Sequence, residues 1–533
     1  MSDSESKTSV TYGFTGLHVF LFLFFVFLVG RWRKGPREGP VLRSVAILVL
    51  GDVGRSPRMM YHAQSFAKNG YKTYLVGYKG SKLIRSLRET PNFRTIYLSK
   101  LTEPPPLLAK SPFVVTAPIK IIHQVAAVLT ALLIRIEHPP EFILVQNPPS
   151  IPTLALVWFT GRILGSKVII DWHNLGYSIL ALKLGKKHPF VRIAERFEAY
   201  FGRTAYAHLF VTQAMRDHLV REWDLKGLKA VLHDRPPAHF HRCTPEEFHE
   251  LFVRLWPSIT IPELASFLPS YSVPYSTPFT TVTPSTTTHS TAQPPPSDPF
   301  SRLEMPTFRD DRPALLVSST SWTPDEDFSI LLEALALYEE RATKPDARLP
   351  KLMVVVTGKG PLKDTYMSAV RELQKKWKWV RCISLWLEAE DYPLLLGTAD
   401  LGVCLHSSSS ALDLPMKIVD MFGCGLPVCA LDFACLDELV KDGVNGLIFK
   451  DAEQLAGQFA SLLRDFPSAP ALTVLRDSLV SSSRASDEHL MTRGDEGDGE
   501  GVAWAWNSWE DNWNKVMKPL VSRDADGRHA EWS

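Results

Sequence analysis

Short apolar runs alternating with stretches of helical period occur in two blocks along the chain. Val45–Leu50 (VAILVL) is an unbroken apolar run ended by Gly51, the pattern of a strand buried on both faces. Ser56 and Pro57 supply a helix N-cap and a first-turn proline. Met59, Ala63, Phe66 and Ala67 follow at helical spacing, and Gly70 closes that helix. Lys72–Gly77, Phe142–Gln146, Val168–Asp171, Leu209–Thr212 and Val231–His233 read as further strands, with apolar helical stretches between them. This alternation predicts a doubly wound parallel sheet.

The rhythm breaks between Pro257 and Pro313, where Pro, Ser and Thr dominate and no period persists. That composition predicts a disordered insertion. The rhythm restarts with strands at Ala314–Ser318, Leu352–Thr357, Arg381–Leu385, Asp400–Leu405 and Pro427–Ala430, and a helix at Phe328–Leu337. A Ser/Gly/acidic run, Ser481–Gly501, reads as a loop, and Trp504, Trp506, Trp509 and Trp513 as a terminal helix packed on the domains.

The N-terminus adds a further element. Thr11–Gly30 is twenty residues without Asp, Glu, Lys or Arg. At about 1.5 Å per residue this matches a hydrocarbon core of about 30 Å. Arg31, Arg33, Lys34 and Arg37 follow at once, so the positive-inside bias puts the bulk of the chain in the cytosol. A cleaved signal peptide is the rival, but a basic n-region and a small-x-small cleavage site are missing.

The predicted fold class is therefore α/β, two Rossmann-like parallel-sheet domains facing a cleft, with an N-terminal transmembrane helix. The segments are an anchor at 11–30, a first domain at 41–256, the insertion at 257–313, a second domain at 314–480, a loop at 481–501 and a terminal helix at 502–520. Ligands in such sheets bind beyond the carboxyl ends of the strands.

Charge and cysteine content narrow the function. Lys and Arg total 59 against 57 Asp and Glu, a net +2, which argues against nucleic acid as a partner. Cys243, Cys382, Cys404, Cys424, Cys429 and Cys435 form no C-x-x-C pair. They read as small buried hydrophobes in a reducing compartment, and no His/Cys spacing fits zinc.

Four segments at predicted strand ends carry candidate chemistry. In Gly51-Asp-Val-Gly-Arg-Ser-Pro-Arg58, Gly51 and Gly54 let backbone approach a ligand. The helix start, with Arg55 and Arg58, favours an anion, although a plain strand-to-helix turn has the same look. In Asp171-Trp-His-Asn174, His173 is suited to take a proton at neutral pH, a satisfied structural histidine being the bland alternative. Val356-Thr-Gly-Lys-Gly-Pro361 offers Lys359 and free amides to a diphosphate. In the stretch His406–Pro427, Asp413, Lys417 and Asp420 stand at i, i+4, i+7, which predicts one helical face. A carboxylate there can grip ribose hydroxyls, and a lysine can neutralise a leaving diphosphate without a metal. Capping by Asp413 plus a surface ion pair is the structural alternative.

Several long runs resemble a known family. GDVGRSPRM at 51–59, NPPSIP at 147–152, DWHNLGYS at 171–178, WLEAEDYPLLLGTADLGVCLH at 386–406 and DLPMKIVDMFGCGLPVCA at 413–430 are similar to the chitobiosyldiphosphodolichol β-mannosyltransferases, over about 31–256 and 312–465. The resemblance implies the glycosyltransferase B fold and GDP-mannose as donor substrate. It implies dolichyl-diphosphate-chitobiose as acceptor and a β-1,4 product formed with inversion. It also implies a single-pass protein of the endoplasmic reticulum membrane with cytosolic catalytic domains, and other transferases of the pathway as candidate partners. No cofactor is assigned, and dependence on a divalent metal is left open. Retaining relatives of the wider fold carry E-x7-E; here Asp420 matches its second acid, but Leu412 stands eight residues before it, with Asp413 one off. Where those relatives have an Arg and a Lys, this chain has Ser318-Ser-Thr-Ser-Trp-Thr-Pro-Asp-Glu326.

The mechanism so implied is a single displacement, with His173 and Asp52 as candidate bases. Lys359, Asp413, Lys417 and Asp420 would hold the donor; Gly51, Gly54, Arg55 and Asn174 would hold the acceptor or its diphosphate. The alternatives are a later α-mannosyltransferase of the same lipid-linked pathway and a non-catalytic membrane scaffold.

Overall fold

The computed structural model describes residues 43–100, 113–282, 305–323, 326–388, 390–406, 412–491 and 508–522. The anchor expected at 11–30 lies outside them. Among the described residues no helix is long and apolar enough to cross a membrane. The chain divides into two units, one reaching to Leu232 and including the residues from Val516 on, the other spanning His233–Lys515.

The first unit is a seven-stranded parallel sheet in the order β3-β2-β1-β4-β5-β6-β7. Its strands are β1 (Ser44–Asp52), β2 (Lys72–Tyr78), β3 (Phe93–Leu98), β4 (Phe142–Asn147), β5 (Lys167–Trp172), β6 (Thr204–Phe210) and β7 (Lys226–Val231). Val45–Leu48 are wholly buried and pair with β2 on one side and β4 on the other. The winding reverses between β1 and β4, so the ends of β1, β4 and β5 lie side by side. This is the switch point at which doubly wound sheets bind ligands.

In the second unit a short antiparallel ribbon, β8 (Thr280–Thr281) with β9 (Thr307–Phe308), precedes a six-stranded parallel sheet. That sheet holds β10 (Ala314–Ser319), β11 (Leu352–Thr357), β12 (Val380–Leu385), β13 (Leu401–Cys404), β14 (Val428–Leu431) and β15 (Gly446–Phe449), in the order β12-β11-β10-β13-β14-β15. All six cysteines are free and buried.

The central strands match their sequence signatures. Discrepancies fall at β6, which runs over Thr204–Phe210 where Leu209–Thr212 was expected, and at sheet edges. β3 and β15 were not predicted, and β7 runs over Lys226–Val231 in place of Val231–His233. The edge strands β3 and β7 face water along one side and carry charges such as Arg94, Lys226 and Lys229, so they show no apolar run; β15 is apolar but only four residues long.

The first domain does not extend to 256, and the second does not begin at 314. Thr244 and Glu247 form a capping box that starts the helix Pro245–Ile259. Phe248, Leu251, Phe252, Leu255 and Ile259 from this helix enter the core of the second unit. Leu264, Phe267, Leu268 and Phe279 join the same core, so the predicted insertion is structured through residue 282. Prolines and hydroxyl residues space these side chains too irregularly to leave a period, yet each one fills the same interior. Residues 283–304 lie outside the described residues; of the loop expected at 481–501, 481–491 instead continue the helix Pro470–Met491, and 492–501 lie outside the described residues. The terminal helix runs over Trp509–Ser522, with Trp509 and Trp513 buried; 502–507 lie outside the described residues.

Ile259→Val tests this packing. The expected loss is about 0.5–1.5 kcal/mol, read as a lower midpoint in a denaturant titration with an unchanged slope. An unchanged midpoint would mean that the end of this helix does not pack.

Candidate active site

At the end of β5, Asp171 is wholly buried and gathers basic side chains. Arg58, from the first turn of the helix Pro57–Lys68, meets it with both arms of its guanidinium, Nε to Oδ2 at 2.8 Å and a terminal nitrogen to Oδ1 at 3.0 Å. His62, one turn further on, brings Nε2 to 3.2 Å from Oδ2. His173 donates from Nε2 to the same oxygen at 2.9 Å. Burial pushes Asp171 up, but Arg58 and His173 outweigh this and hold it well below the usual carboxylate range. Burial lowers His62, which is therefore neutral at pH 7. Sequence reasoning offered Arg58 to a ligand anion; the anion that it meets is this carboxylate.

His173 is the partly exposed member of the cluster. Its backbone amide donates to Asn147 O at 2.9 Å, which seats it on the end of β4. With the Nε2 proton directed at Asp171, Nδ1 keeps its lone pair. A carboxylate that fixes one ring nitrogen in this way orients a general base and stabilises the imidazolium that forms.

Asn174 Oδ1 accepts from Leu175 N at 2.7 Å, at the start of the helix Gly176–Leu184. The first turn of that helix is held by a residue that sequence reasoning missed. Glu198, wholly buried, accepts from Gly176 N at 2.9 Å, Tyr177 N at 3.0 Å and Asn147 Nδ2 at 3.0 Å. Glu198 thus ties NPPSIP to DWHNLGYS. A signal for it was present: it stands seven residues after Val191 and four after Ala194, on the apolar face of its helix.

Asp52, the other candidate base, is engaged in a turn. Its carboxylate accepts from Gly54 N at 3.0 Å, Ser81 N at 2.8 Å and Ser81 Oγ at 2.9 Å. Burial raises its pKa, but these bonds outweigh that and the net shift is downward. Gly54 is required here, because an added Cβ would meet Ser81 O at 2.4 Å. Gly51 faces no such crowding. Arg55 is largely exposed, with Nε 3.3 Å from Ser81 Oγ.

In the second unit the ends of β10, β11 and β13 frame another cluster, centred on Glu326. This near-buried carboxylate accepts from Thr320 Oγ1 at 2.6 Å and Ser321 N at 2.7 Å, and Lys417 Nζ pairs with it directly. His406 Nδ1 lies 3.8 Å from it. Burial pushes Glu326 up, but His406 and Lys417 pull it well below the usual range. Sequence reasoning gave Glu326 no role, because it stands among polar residues and no pattern marks it.

The predicted donor residues are placed unevenly. The helix carrying Lys417 and Asp420 is Met416–Gly423. Asp413 precedes it, so the expected single face holds only Lys417 and Asp420; Pro415 occupies the N-cap and the chain before it is not helical. The serines 407–410 lie outside the described residues. Lys359 Nζ sits over the Trp386 ring, 3.6 Å from its centre, a cation–π contact. Gly358 and Gly360 flank it because an added Cβ on either would come within 1.8 Å of a carbonyl oxygen of the Thr320-Ser321 turn. Among the described residues no group of three or more His, Cys, Asp or Glu is placed to hold a metal ion.

Burial, and then the charge of Asp234, push Asp420 up to about 8. Asp420 therefore keeps its proton at neutral pH and presents a hydroxyl as well as a carbonyl. An acid whose folded pKa is raised contributes stability below its unfolded value, lost as pH rises through the folded one. Stability should thus fall between about pH 4 and 8, and Asp420→Asn should flatten that part of the profile. A variant with the same pH slope as the parent would contradict the raised value.

A family profile described as "Glycosyl transferases group 1" matches residues 312–465. A mouse protein named chitobiosyldiphosphodolichol beta-mannosyltransferase is 42% identical, covering 95% of this chain and 94% of its own. The human protein of the same name is 41% identical over 93% of this chain and 96% of its own. An Arabidopsis thaliana protein named UDP-glycosyltransferase TURAN is 38% identical over 90% and 98%. Among solved structures, the N-terminal domain of Candida albicans trehalose-6-phosphate phosphatase aligns at TM-score 0.53 and 11% identity, covering 92% of this chain and 99% of that one. Sucrose-phosphate synthase from Thermosynechococcus elongatus aligns at 0.51 and 12%, covering 82% and 94%. These two likenesses are of fold alone.

Proposed function

Since the chain belongs to the chitobiosyldiphosphodolichol β-mannosyltransferase family of glycosyltransferases, we propose that it transfers mannose from GDP-mannose, in β-1,4 linkage and with inversion, to dolichyl-diphosphate-chitobiose. The observation that carries this reading is the 42% identity to a protein of that name across 95% of the chain. The site chemistry is in keeping with it. In a single displacement the acceptor 4-hydroxyl oxygen forms its bond to the anomeric carbon as the bond from that carbon to the diphosphate breaks. His173 Nδ1 takes the hydroxyl proton, while Asp171 holds the ring and steadies its charge. Lys417 neutralises the departing GDP; Glu326 holds that lysine ready. Asp52 is the weaker candidate for the base, because its carboxylate already accepts three hydrogen bonds. We place the protein at the endoplasmic reticulum membrane, anchored through 11–30, with both units in the cytosol; the basic residues after Gly30 support this orientation.

The test is incubation of the full chain in membranes with phytanyl-diphosphate-chitobiose and either GDP-mannose or a UDP-sugar, followed by linkage analysis. A β-1,4-mannoside formed from GDP-mannose alone is the expected product. An α-linked product, or transfer only from the UDP-sugar, would overturn the reading.

A further inference from the structure

Three arginines from three separate elements of the second unit converge on the step Ala399-Asp400. Asp400, just before β13, is 1% exposed. Arg312, two residues before β10, meets it end-on with both terminal nitrogens, at 2.8 and 2.9 Å, and Leu315 N donates to it at 2.9 Å. Arg476, on the helix Pro470–Met491, donates to Asp400 O at 3.4 Å and brings the same nitrogen to 3.8 Å from the carboxylate. Arg242, shortly before the helix Pro245–Ile259, donates to Ala399 O. The cluster stands at the amino ends of β10 and β13, whereas Glu326 and Lys417 stand at the carboxyl ends. The transfer reaction uses none of it.

Its charges do not balance. Three guanidiniums share one carboxylate, which leaves two positive charges over. Among the described residues no second acid lies within 4 Å of any of the three. Nε of Arg312 and Nε of Arg476 are buried and meet no acceptor among the described residues. The Arg312 side chain is only 9% exposed. Burial, then the charges of Arg476 and Arg312 against that of Asp400, bring Arg242 down to about 10. Burial lowers Arg476 as well, with Arg312 adding to it against Asp400 and Asp477. Buried charge of one sign is costly until a counterion meets it.

The size of the excess identifies the ligand. A phosphoryl group carries about −1.5 to −2 charges at pH 7 and offers several oxygens to planar, forked donors. A carboxylate would bring a single charge. The Arg476 side chain, 28% exposed, opens the cluster to solvent. We propose that Arg242, Arg312 and Arg476 form a phosphate-binding site at the amino ends of β10 and β13, separate from the donor site, which takes inorganic phosphate or a phosphomonoester. The bound anion ties the helix Pro470–Met491 and the segment leading into Pro245–Ile259 to the sheet.

Thermal unfolding of the full chain is followed in chloride and in phosphate at matched ionic strength. Phosphate in severalfold excess over its dissociation constant should raise the midpoint by about 2–5 °C and then saturate. Mere exclusion of phosphate from the protein surface gives a rise that does not saturate and that every variant shares. Arg476→Gln and Arg242→Gln should each lose most of the saturable rise. Lys376→Gln, at an exposed lysine elsewhere on the second unit, should keep it. In chloride Arg476→Gln should unfold no lower than the parent, because it removes an unbalanced charge. A lower midpoint in chloride together with an unchanged phosphate rise would make the cluster a structural clamp and overturn the proposal. No saturable rise in the parent, or equal rises in all three variants, overturns it too. So does a rise lost in Lys417→Ala but kept in Arg476→Gln, which would put the phosphate at the Glu326 cluster. Glycerol phosphate in place of phosphate separates the two sources. Saturation at a lower concentration assigns the site to a phosphomonoester, at a higher one to the free ion.

Discussion

His173→Ala is expected to lower turnover by about 100-fold or more while leaving GDP affinity almost unchanged. The geometry sets both halves of this expectation. Nε2 is committed to Asp171 at 2.9 Å, and the backbone of His173 is seated on β4, so substitution removes the Nδ1 lone pair and one hydrogen bond to Asp171, which keeps its pairing with Arg58. GDP is assigned to side chains of the second unit, which the substitution does not touch. Calorimetry with GDP beside turnover with the lipid-linked acceptor separates the two effects. An equal loss of GDP binding would sink the assignment of donor and acceptor to separate units. Full activity would move the base to Asp52 or to an unassigned residue.

The second large effect concerns folding. Arg58→Leu is expected to destabilise the protein by about 3–5 kcal/mol, the usual result of removing one partner from a buried ion pair. Asp171 would remain wholly buried with its main countercharge gone, and its carboxyl would move up. In the parent, the depressed pKa contributes stability that is present above the unfolded value and lost only as pH falls through the folded one. In the variant the raised group would make stability fall as pH rises. Replacing both residues with apolar ones of similar volume, Arg58→Met with Asp171→Leu, should recover part of the loss, because no buried charge is then left alone. A single Arg58→Leu variant within about 1 kcal/mol of the parent, the range of an exposed pair, would show that the pair is hydrated.

The fold was legible where burial is two-sided. Strands such as Leu352–Thr357 are apolar throughout because helices cover both faces, and their bounds follow from composition alone. Strands exposed along one edge obey no such rule. The candidate site was legible as position, since Gly51–Arg58, Asp171–Asn174 and Lys417–Asp420 all fall where chains leave parallel strands. It was less legible as function. Whether Arg58 meets a ligand or Asp171 depends on which strand ends become neighbours, which only the sheet order decides. Glu326 reaches Lys417 across ninety-one positions of sequence, a distance over which no spacing rule operates. Asp420 owes its proton to burial and to Asp234, neither of which its own segment reveals.

The helix Trp509–Ser522 has a temporal meaning. Its residues from Val516 on belong to the first unit, where Arg43, at the start of β1, donates to Val521 O at 2.5 Å. Tyr71 donates to the same carbonyl at 3.2 Å, and Tyr206 to Leu520 O at 2.9 Å. The first unit therefore takes these acceptors from a stretch translated only after the whole second unit. A stop codon or frameshift shortly before Trp509 would spare every residue of the second sheet yet leave Arg43, Tyr71 and Tyr206 without these acceptors. The damage would fall in the unit that precedes the lesion by a whole domain.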